Sequence, residues 1–380
     1  MLYRRMKKAR LDLSILGFGC MRLPLTADGS IDEKQAAEML RYAIDQGVNY
    51  IDTAYPYHKG ESEPFLGRAL QGGYREKVHL ATKLPIWMVQ SRADMDRYLN
   101  EQLKRLQTDH IDFYLVHGLM NPFWEKLLDL EITDFLDDAL ADGRIKYAGF
   151  SFHDELPLFK QIVDDYDWTF CQIQYNFMDE QYQAGTEGLR YAADQGLGIV
   201  IMEPLRGGML TRDIPSINGI WRKAKVQRSP AEWALKWVWN HPEVTVVLSG
   251  MSSPEQVWQN VAYAEDGLSD SLSREDLDLF KEAEIEYRKR IKVPCTGCRY
   301  CMPCPSNVSI PECFEMYNQG CMFDSPDIAG INYNIALGGF FGGSPGLASQ
   351  CEECGECEQK CPQGIQIRDK LKEVAAYFEK

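Results

Sequence analysis

The stretch 78–117 reads as one strand–helix–strand unit: Val78-His-Leu-Ala-Thr-Lys83, the amphipathic segment 92–106, then Asp112-Phe-Tyr-Leu-Val-His117. Both flanking runs are short and nearly continuous in apolar character, as parallel strands buried on both faces are. Runs of the same kind recur at 14–20, 49–54, 146–151, 169–175, 198–203 and 245–249. Helix-patterned segments lie between them, among them 33–46, 132–141, 189–195 and 230–240. Gly47, Gly143 and Gly196 stand where a helix end needs a left-handed residue, and Ser229-Pro230 and Ser253-Pro254 read as an N-cap followed by proline. Eight strands alternating with eight helices over about 250 residues predict a (β/α)8 TIM barrel of the α/β class. A doubly wound sheet is the alternative. It is weakened because Gly17-Phe-Gly19 supplies only two glycines of a dinucleotide fingerprint. Residues 2–10 with Leu13 are expected to form a hairpin ahead of the first barrel strand.

Beyond the barrel, 273–291 is a charged helical stretch leading into a cysteine-rich region. Two runs stand out: Cys295-x2-Cys298-x2-Cys301-x2-Cys304-Pro305 and Cys351-x2-Cys354-x2-Cys357-x3-Cys361-Pro362. Thiolates this close repel unless a cation or cluster neutralises them. The second run has the bacterial ferredoxin spacing, in which three cysteines grip one cubane and the fourth, followed by proline, reaches the other. The first run is one residue shorter before its last cysteine. The expectation is two [4Fe–4S] clusters, Cys295, Cys298 and Cys301 sharing one with Cys361, and Cys351, Cys354 and Cys357 the other with Cys304. Zinc takes CxxC pairs and gives no reason for four cysteines per run or for the prolines, and disulfides suit secreted domains. Cys20, Cys171, Cys313 and Cys321 carry no such spacing and read as buried or half-buried free thiols. Between the runs, 336–349 holds Gly338, Gly339, Gly342, Gly343 and Gly346, a flexible loop by composition.

The chain has 380 residues, 45% hydrophobic content and a net charge of −15, so an ordered protein of two or three domains is expected. The charge argues against nucleic acid or an anionic membrane surface as a partner and is compatible with a basic redox protein. The basic N-terminus is not followed by a long apolar run, and no stretch of about 18 uncharged apolar residues occurs, so neither a signal peptide nor a membrane span is expected. A reducing cytoplasm fits thiols that must stay available for iron.

Barrels of this kind place active groups at the carboxyl ends of their strands. Those ends carry Asp52, Lys83, His117, Ser151, Gln172 and Glu203, with Tyr57 five residues beyond Asp52. Charged groups in apolar runs are costly unless paired. The segment Ile51-Asp-Thr-Ala-Tyr-Pro-Tyr57-His-Lys-Gly-Glu-Ser-Glu63 resembles the aldo-keto reductase signature, and Ala81-Thr-Lys83, Asp112-Phe-Tyr-Leu-Val-His117 and Gly149-Phe-Ser151 follow in that family's order. The cysteine region resembles the ferredoxin-like appendage of one branch. The resemblance implies carbonyl reduction with a nicotinamide, Tyr57 acting as general acid in reduction and base in oxidation. Residue chemistry agrees: Lys83 as ammonium favours the Tyr57 phenolate and is expected to lower its pKa, Asp52 pairs with Lys83, and His117 orients the substrate oxygen or assists proton transfer.

The match is looser at the cofactor. By resemblance Ser151 and Gln172 hold the carboxamide, although Phe152 replaces the usual Asn and Met202 a stacking tyrosine. Leu205 lies in Glu203-Pro204-Leu205-Arg206-Gly207-Gly208, which resembles the loop across the pyrophosphate, and Asn260 matches the position beside the adenine. Residues 237–273 contain no Lys or Arg, so the choice between NADPH and NADH is open. Trp87, Trp124 and Trp221 are candidates for a substrate wall or for packing of the rim, and His110 and His241 read as solvated. The expected organisation is a barrel over 1–285 and an α-helical, loop-rich ferredoxin-like domain over 286–380, acting on a small-molecule carbonyl substrate with room for a redox partner protein. The alternatives are an electron-transfer or redox-sensing protein whose barrel binds a ligand without turnover, or a barrel using a flavin.

Overall fold

The structure, a computed structural model, describes residues 1–339 and 343–379. Gly342 of the glycine-rich stretch lies outside the described residues. The chain forms two compact units, one of 1–205 with 232–272 and one of 206–231 with 273–380.

The first unit opens with the expected hairpin, β1 (Tyr3–Met6) against β2 (Leu11–Ser14), antiparallel with Met6 opposite Leu11. Eight parallel strands follow: β3 (Leu16–Gly19), β4 (Tyr50–Asp52), β5 (His79–Leu84), β6 (Ile111–Leu119), β7 (Ile145–Phe152), β8 (Phe170–Gln174), β9 (Gly198–Met202) and β10 (Val244–Gly250). They close in sequence order, β10 pairing with β3, which makes the (β/α)8 barrel and removes the doubly wound alternative. Closure leaves no strand edge unpaired, so the hydrogen-bonding groups of these apolar runs are satisfied within the sheet.

The hairpin plugs one end. Met6 and Leu13, fully buried, pack with Tyr50, Phe113, Phe170, Val200 and Val246. Room is made by absent side chains: a Cβ on Gly149 would stand 2.3 Å from the Phe170 ring, and one on Gly198 would stand 2.4 Å from Met6. Near this end Asp112 is tied to Arg75 (2.8 Å), Lys146 (3.0 Å) and the Leu80 N–H (3.0 Å). Burial pushes its carboxyl up, but His79, Arg75, Leu80 and Lys146 together hold it well below the usual range. Asp112 is therefore a floor brace, and the opposite, carboxyl end of the strands is left for chemistry.

Helices form where caps and periodicity agree. Asp32 caps Glu33–Asp45 by accepting from the Gln35 N–H, Ser91 and Asp94 box the start of Arg92–Leu106, and Ser253 caps Pro254–Tyr263. Gly47, with φ +97°, takes the left-handed turn that ends the first of these.

The second unit holds Pro215–Trp221, Arg274–Arg288, Ile310–Met322, Pro326–Leu337 and Ile367–Phe378. Its core gathers Val293, Val308, Ile310, Phe314, Tyr333, Leu371 and Val374. The described residues on either side of 340–342 in the glycine-rich stretch are tied by backbone hydrogen bonds. The helix runs to Leu337, the Gly346 N–H donates to the Leu337 carbonyl (2.8 Å), and the Gly346 carbonyl accepts from Ser309 (3.0 Å). A Cβ on Gly346 would stand 2.3 Å from Ser309 Oγ, so this glycine permits close approach of two backbones rather than flexibility.

Candidate active site and cysteine centres

Four strand-end residues meet at the carboxyl face of the barrel. Asp52 ends β4, Lys83 is the penultimate residue of β5, His117 lies near the end of β6, and Tyr57 opens the short helical turn Tyr57–Gly60. Lys83 is fully buried and Asp52 nearly so. The Lys83 ammonium donates to both Asp52 oxygens (2.7 and 2.8 Å) and to the Thr53 carbonyl (2.7 Å). It sits 5.0 Å from the Tyr57 ring centroid, and the Tyr57 and His117 rings are 6.2 Å apart, edge to face.

The electrostatics follow from burial and charge. Burial lowers Lys83, but Asp52 and Tyr57 more than reverse it, so the ammonium is held above its ordinary value. Burial raises Asp52 against the pull of Lys83. With both carboxylate oxygens on one ammonium the pair is charged. Burial also raises the Tyr57 phenol; Lys83 lowers it and Asp52 adds to the rise. Lys83 thus acts in the expected direction, yet the net shift is upward, because a buried phenolate loses more hydration than one ammonium shared with Asp52 returns. Tyr57 is a protonated donor at neutral pH. His117 is pushed well below its ordinary value by burial, by Lys83 and by His153, and is neutral. Its Nδ1 is buried without a hydrogen-bond partner.

Ser151 and Gln172 face each other across the β7–β8 register. Ser151 Oγ accepts from the Gly118 N–H (2.7 Å), which leaves its own hydroxyl proton to donate. Gln172 Nε2 reaches only Met202 Sδ (3.5 Å), and its Oε1 is buried and unpartnered. A hydroxyl donor beside an orphaned amide oxygen fits a carboxamide, which needs one donor and one acceptor. Asn260 lies apart, in Pro254–Tyr263, its amide donating to Ser249 Oγ (3.0 Å) at the end of β10. Leu205 falls three residues beyond β9, half-buried, with no polar role visible.

Trp87 reaches the site, 5.2 Å from His117. Trp124 is buried, with Nε1 on Asp165 and its ring against Trp168, and Trp221 packs on Phe280 in the second unit. His241 is not solvated but wedged between Tyr175 and Trp237. Residue reading also passed over Thr53, whose carbonyl is the third acceptor for Lys83 and whose only sequence signal is its place beside Asp52. Cys20 is a fully buried thiol, raised by burial and by the nearby Asp52.

In the second unit the eight run cysteines line two voids. The first is bordered by Cys295, Cys298, Cys301 and, from the other run, Cys361 with Pro362. Cys351, Cys354, Cys357 and Cys304 with Pro305 border the second, which Cys301 also touches. Each run therefore sends its last, proline-followed cysteine to its neighbour's void. Burial raises the Cys295 thiol, and Cys298 and Cys361 raise it further; Cys301 is raised by burial and by Cys295, Cys298 and Cys361. Such crowding is unfavourable for free thiolates and suited to ligands of a cationic core. Four thiols at each site, the fourth crossing over from the other run, fit the ligand sharing of ferredoxin-type iron–sulfur clusters rather than a zinc held by CxxC pairs. Cys20, Cys171 and Cys313 are buried and Cys321 half-buried, as expected of unassigned thiols.

Comparison with known proteins agrees with both halves. Residues 15–285 match the aldo/keto reductase family and residues 294–367 the 4Fe-4S dicluster domain. The chain is 27% identical over 296 residues to aldo-keto reductase YhdN of Bacillus subtilis (strain 168), spanning 67% of this chain and 86% of the relative. It is 27% identical over 299 residues to the NADH-specific methylglyoxal reductase of Escherichia coli (strain K12), spanning 67% and 89%. Among solved structures it is similar to the holo form of aldo-keto reductase AKR11C1 from Bacillus halodurans, with TM-score 0.63, 28% identity, and 74% and 96% of the two chains covered.

Proposed function

The chain belongs to the aldo/keto reductase family and is an NAD(P)-dependent oxidoreductase with an iron–sulfur domain, and from that premise we propose that it reduces a small carbonyl, or oxidises the matching alcohol, with Tyr57 as the proton-transfer residue. The observation that carries this is the convergence of Asp52, Lys83, Tyr57 and His117 around a fully buried ammonium. In reduction the carbon gains a hydride and the oxygen a proton. Tyr57, protonated by burial, donates that proton. Lys83 then stabilises the phenolate left behind, and Asp52 keeps the ammonium charged and in place. His117, neutral, offers one N–H to orient the carbonyl oxygen. Ser151 and Gln172 hold the carboxamide of the nicotinamide, which when bound supplies or takes up the hydride; Leu205 and Asn260 flank its pyrophosphate and adenine.

Two [4Fe–4S] clusters are assigned to the two voids, one to Cys295, Cys298, Cys301 and Cys361 and one to Cys304, Cys351, Cys354 and Cys357. A bound cluster exchanges single electrons. Six of these cysteines pack on an apolar core of this unit, so filling the voids and folding the unit are coupled. Exposure of Cys298 and Cys354 favours a second role, electron exchange with a redox partner protein at those outer corners.

The test is Tyr57→Phe in anaerobically purified, iron-loaded protein. Carbonyl reduction is expected to fall by about 10²–10⁴-fold with nicotinamide binding and cluster absorbance retained. Unchanged turnover would sink the enzyme reading of this site and leave ligand binding without chemistry.

A further inference from the structure

Two polar side chains stand beside the tetrad on the same face and have no part in proton transfer. His153 directly follows β7, and its backbone N–H donates to the Leu119 carbonyl (3.0 Å). This places its ring over Gly118, where even a Cβ would stand 3.8 Å from His153 Cδ2. Gln183 belongs to the loop after β8, and its Nε2 lies 3.5 Å from His153 Nδ1. Its backbone has φ +55°, a left-handed conformation that a glutamine holds only when its surroundings impose it. The other amide atom, Oε1, is buried and unpartnered, as is His117 Nδ1.

An unpaired buried amide oxygen is costly, and one on a side chain beside the candidate catalytic groups points to a ligand that donates to it. The chemistry of that ligand follows from what the pair offers. Burial lowers His153 to about 4, so its ring is uncharged at neutral pH and carries one N–H and one lone pair. Nothing on this arm is cationic, which disfavours a carboxylate or phosphate. If the amide nitrogen donates to Nδ1, the ring proton sits on Nε2 and Oε1 remains to accept. With the amide turned over, Nδ1–H donates to the oxygen, leaving the amide N–H₂ to donate and Nε2 to accept. Either way the pair keeps one donor and one acceptor to spare, and a hydroxyl uses both.

We propose that His153 and Gln183 form a hydroxyl-binding arm, so that the enzyme selects carbonyl substrates bearing a hydroxyl beside the reacting carbon over their deoxy counterparts. The inference rests on the reading that the carbonyl meets Tyr57 and His117. An apolar substituent in the same place would leave Gln183 Oε1 unpaired, and the discrimination comes from that penalty as much as from the bond gained.

The test uses the matched pair 2-hydroxypropanal and propanal with the iron-loaded enzyme, reading the ratio of their kcat/KM values. The natural enzyme is expected to favour 2-hydroxypropanal. Gln183→Met keeps side-chain length and removes both amide polar groups; it should cut the ratio about tenfold, the order expected for one neutral hydrogen bond, chiefly through KM. His153→Gln provides a second variant, with the same expected direction, should the first not fold by circular dichroism. Equal losses on both aldehydes, or an unchanged ratio, overturn the arm. Tyr57→Phe separates the two claims: if it abolishes turnover of both aldehydes while Gln183→Met leaves the ratio alone, the arm is wrong and the tetrad stands. Retained turnover in Tyr57→Phe removes the reading on which the arm rests.

Discussion

Removing one member of the Asp52–Lys83 pair should destabilise the barrel, and the two single variants should respond to pH in opposite directions. The ammonium has three acceptors at 2.7, 2.8 and 2.7 Å and no exposed surface. Asp52→Asn leaves it with the Thr53 carbonyl and one amide oxygen; Lys83→Met leaves a buried carboxylate alone. Breaking a buried pair from one side costs about 3–5 kcal/mol, which for a barrel of this size is a fall in Tm of roughly 6–20 °C. In Asp52→Asn the lysine loses the charge that raised it, so burial depresses its folded pKa below the unfolded value. The unfolded chain then binds more protons, and stability rises with pH. In Lys83→Met burial keeps the folded Asp52 pKa above its unfolded value, so stability is fullest below the unfolded pKa and is lost as pH rises through the folded one. The double variant Asp52→Leu with Lys83→Met should recover most of the stability while remaining inactive, since no charge is left to desolvate. Anaerobic melts of the iron-loaded protein followed by far-ultraviolet circular dichroism at fixed scan rate measure the three variants against the natural protein. Additive losses below about 1 kcal/mol each, or pH slopes of the same sign, would refute the reasoning by showing that water reaches the pair.

Further expectations follow from the same geometry. Because His117 is held neutral and Tyr57 protonated, kcat/KM for reduction should be flat from about pH 6 to 8 and fall only beyond the ordinary tyrosine range near 10; a break near 6.5 would mean that a histidine titrates in the free enzyme. Cys361→Ala should remove about half the iron and disturb the site of Cys295, Cys298 and Cys301 rather than that of its own run, which iron analysis and electron paramagnetic resonance of the reduced protein can separate. Arg22 lays its stem on Gly250, 3.2–3.3 Å from where a Cβ would be, at the end of β10. That is a basic group from outside the 237–273 stretch, which holds no Lys or Arg, so Arg22→Ala should weaken NADPH about tenfold, the order of one charge-assisted bond, and leave NADH alone; equal effects on both cofactors would exclude it.

Much of this protein was legible from its residues because the signals are local. Each barrel strand is a short apolar run bounded by turn chemistry, and period and caps do not depend on distant neighbours. The cysteine runs are legible for a related reason, since ligand spacing along the chain is part of the chemistry. At Gly346 composition was a poor guide, because it reports freedom of the backbone and not what packs against it; this glycine is needed for contact with Ser309. Trp87 and Trp124 looked alike in sequence, and of the two it is Trp87 that faces His117, while Trp124 packs on Trp168.

The order of strands and helices was thus written in the sequence by itself, through periodicity and caps, and so were the choice of Asp52, Lys83 and His117 as charged or polar strand-end groups and the grouping of the run cysteines by spacing. Tertiary structure alone decided the sign of the Tyr57 shift, because it turns on how far burial outweighs a neighbouring ammonium. It alone paired His153 with Gln183 across two loops, 30 residues apart, and left Gln172 Oε1 and Gln183 Oε1 without partners. Sequence sets which groups a chain owns. Whether each finds water, a partner or neither depends on closure of the whole barrel.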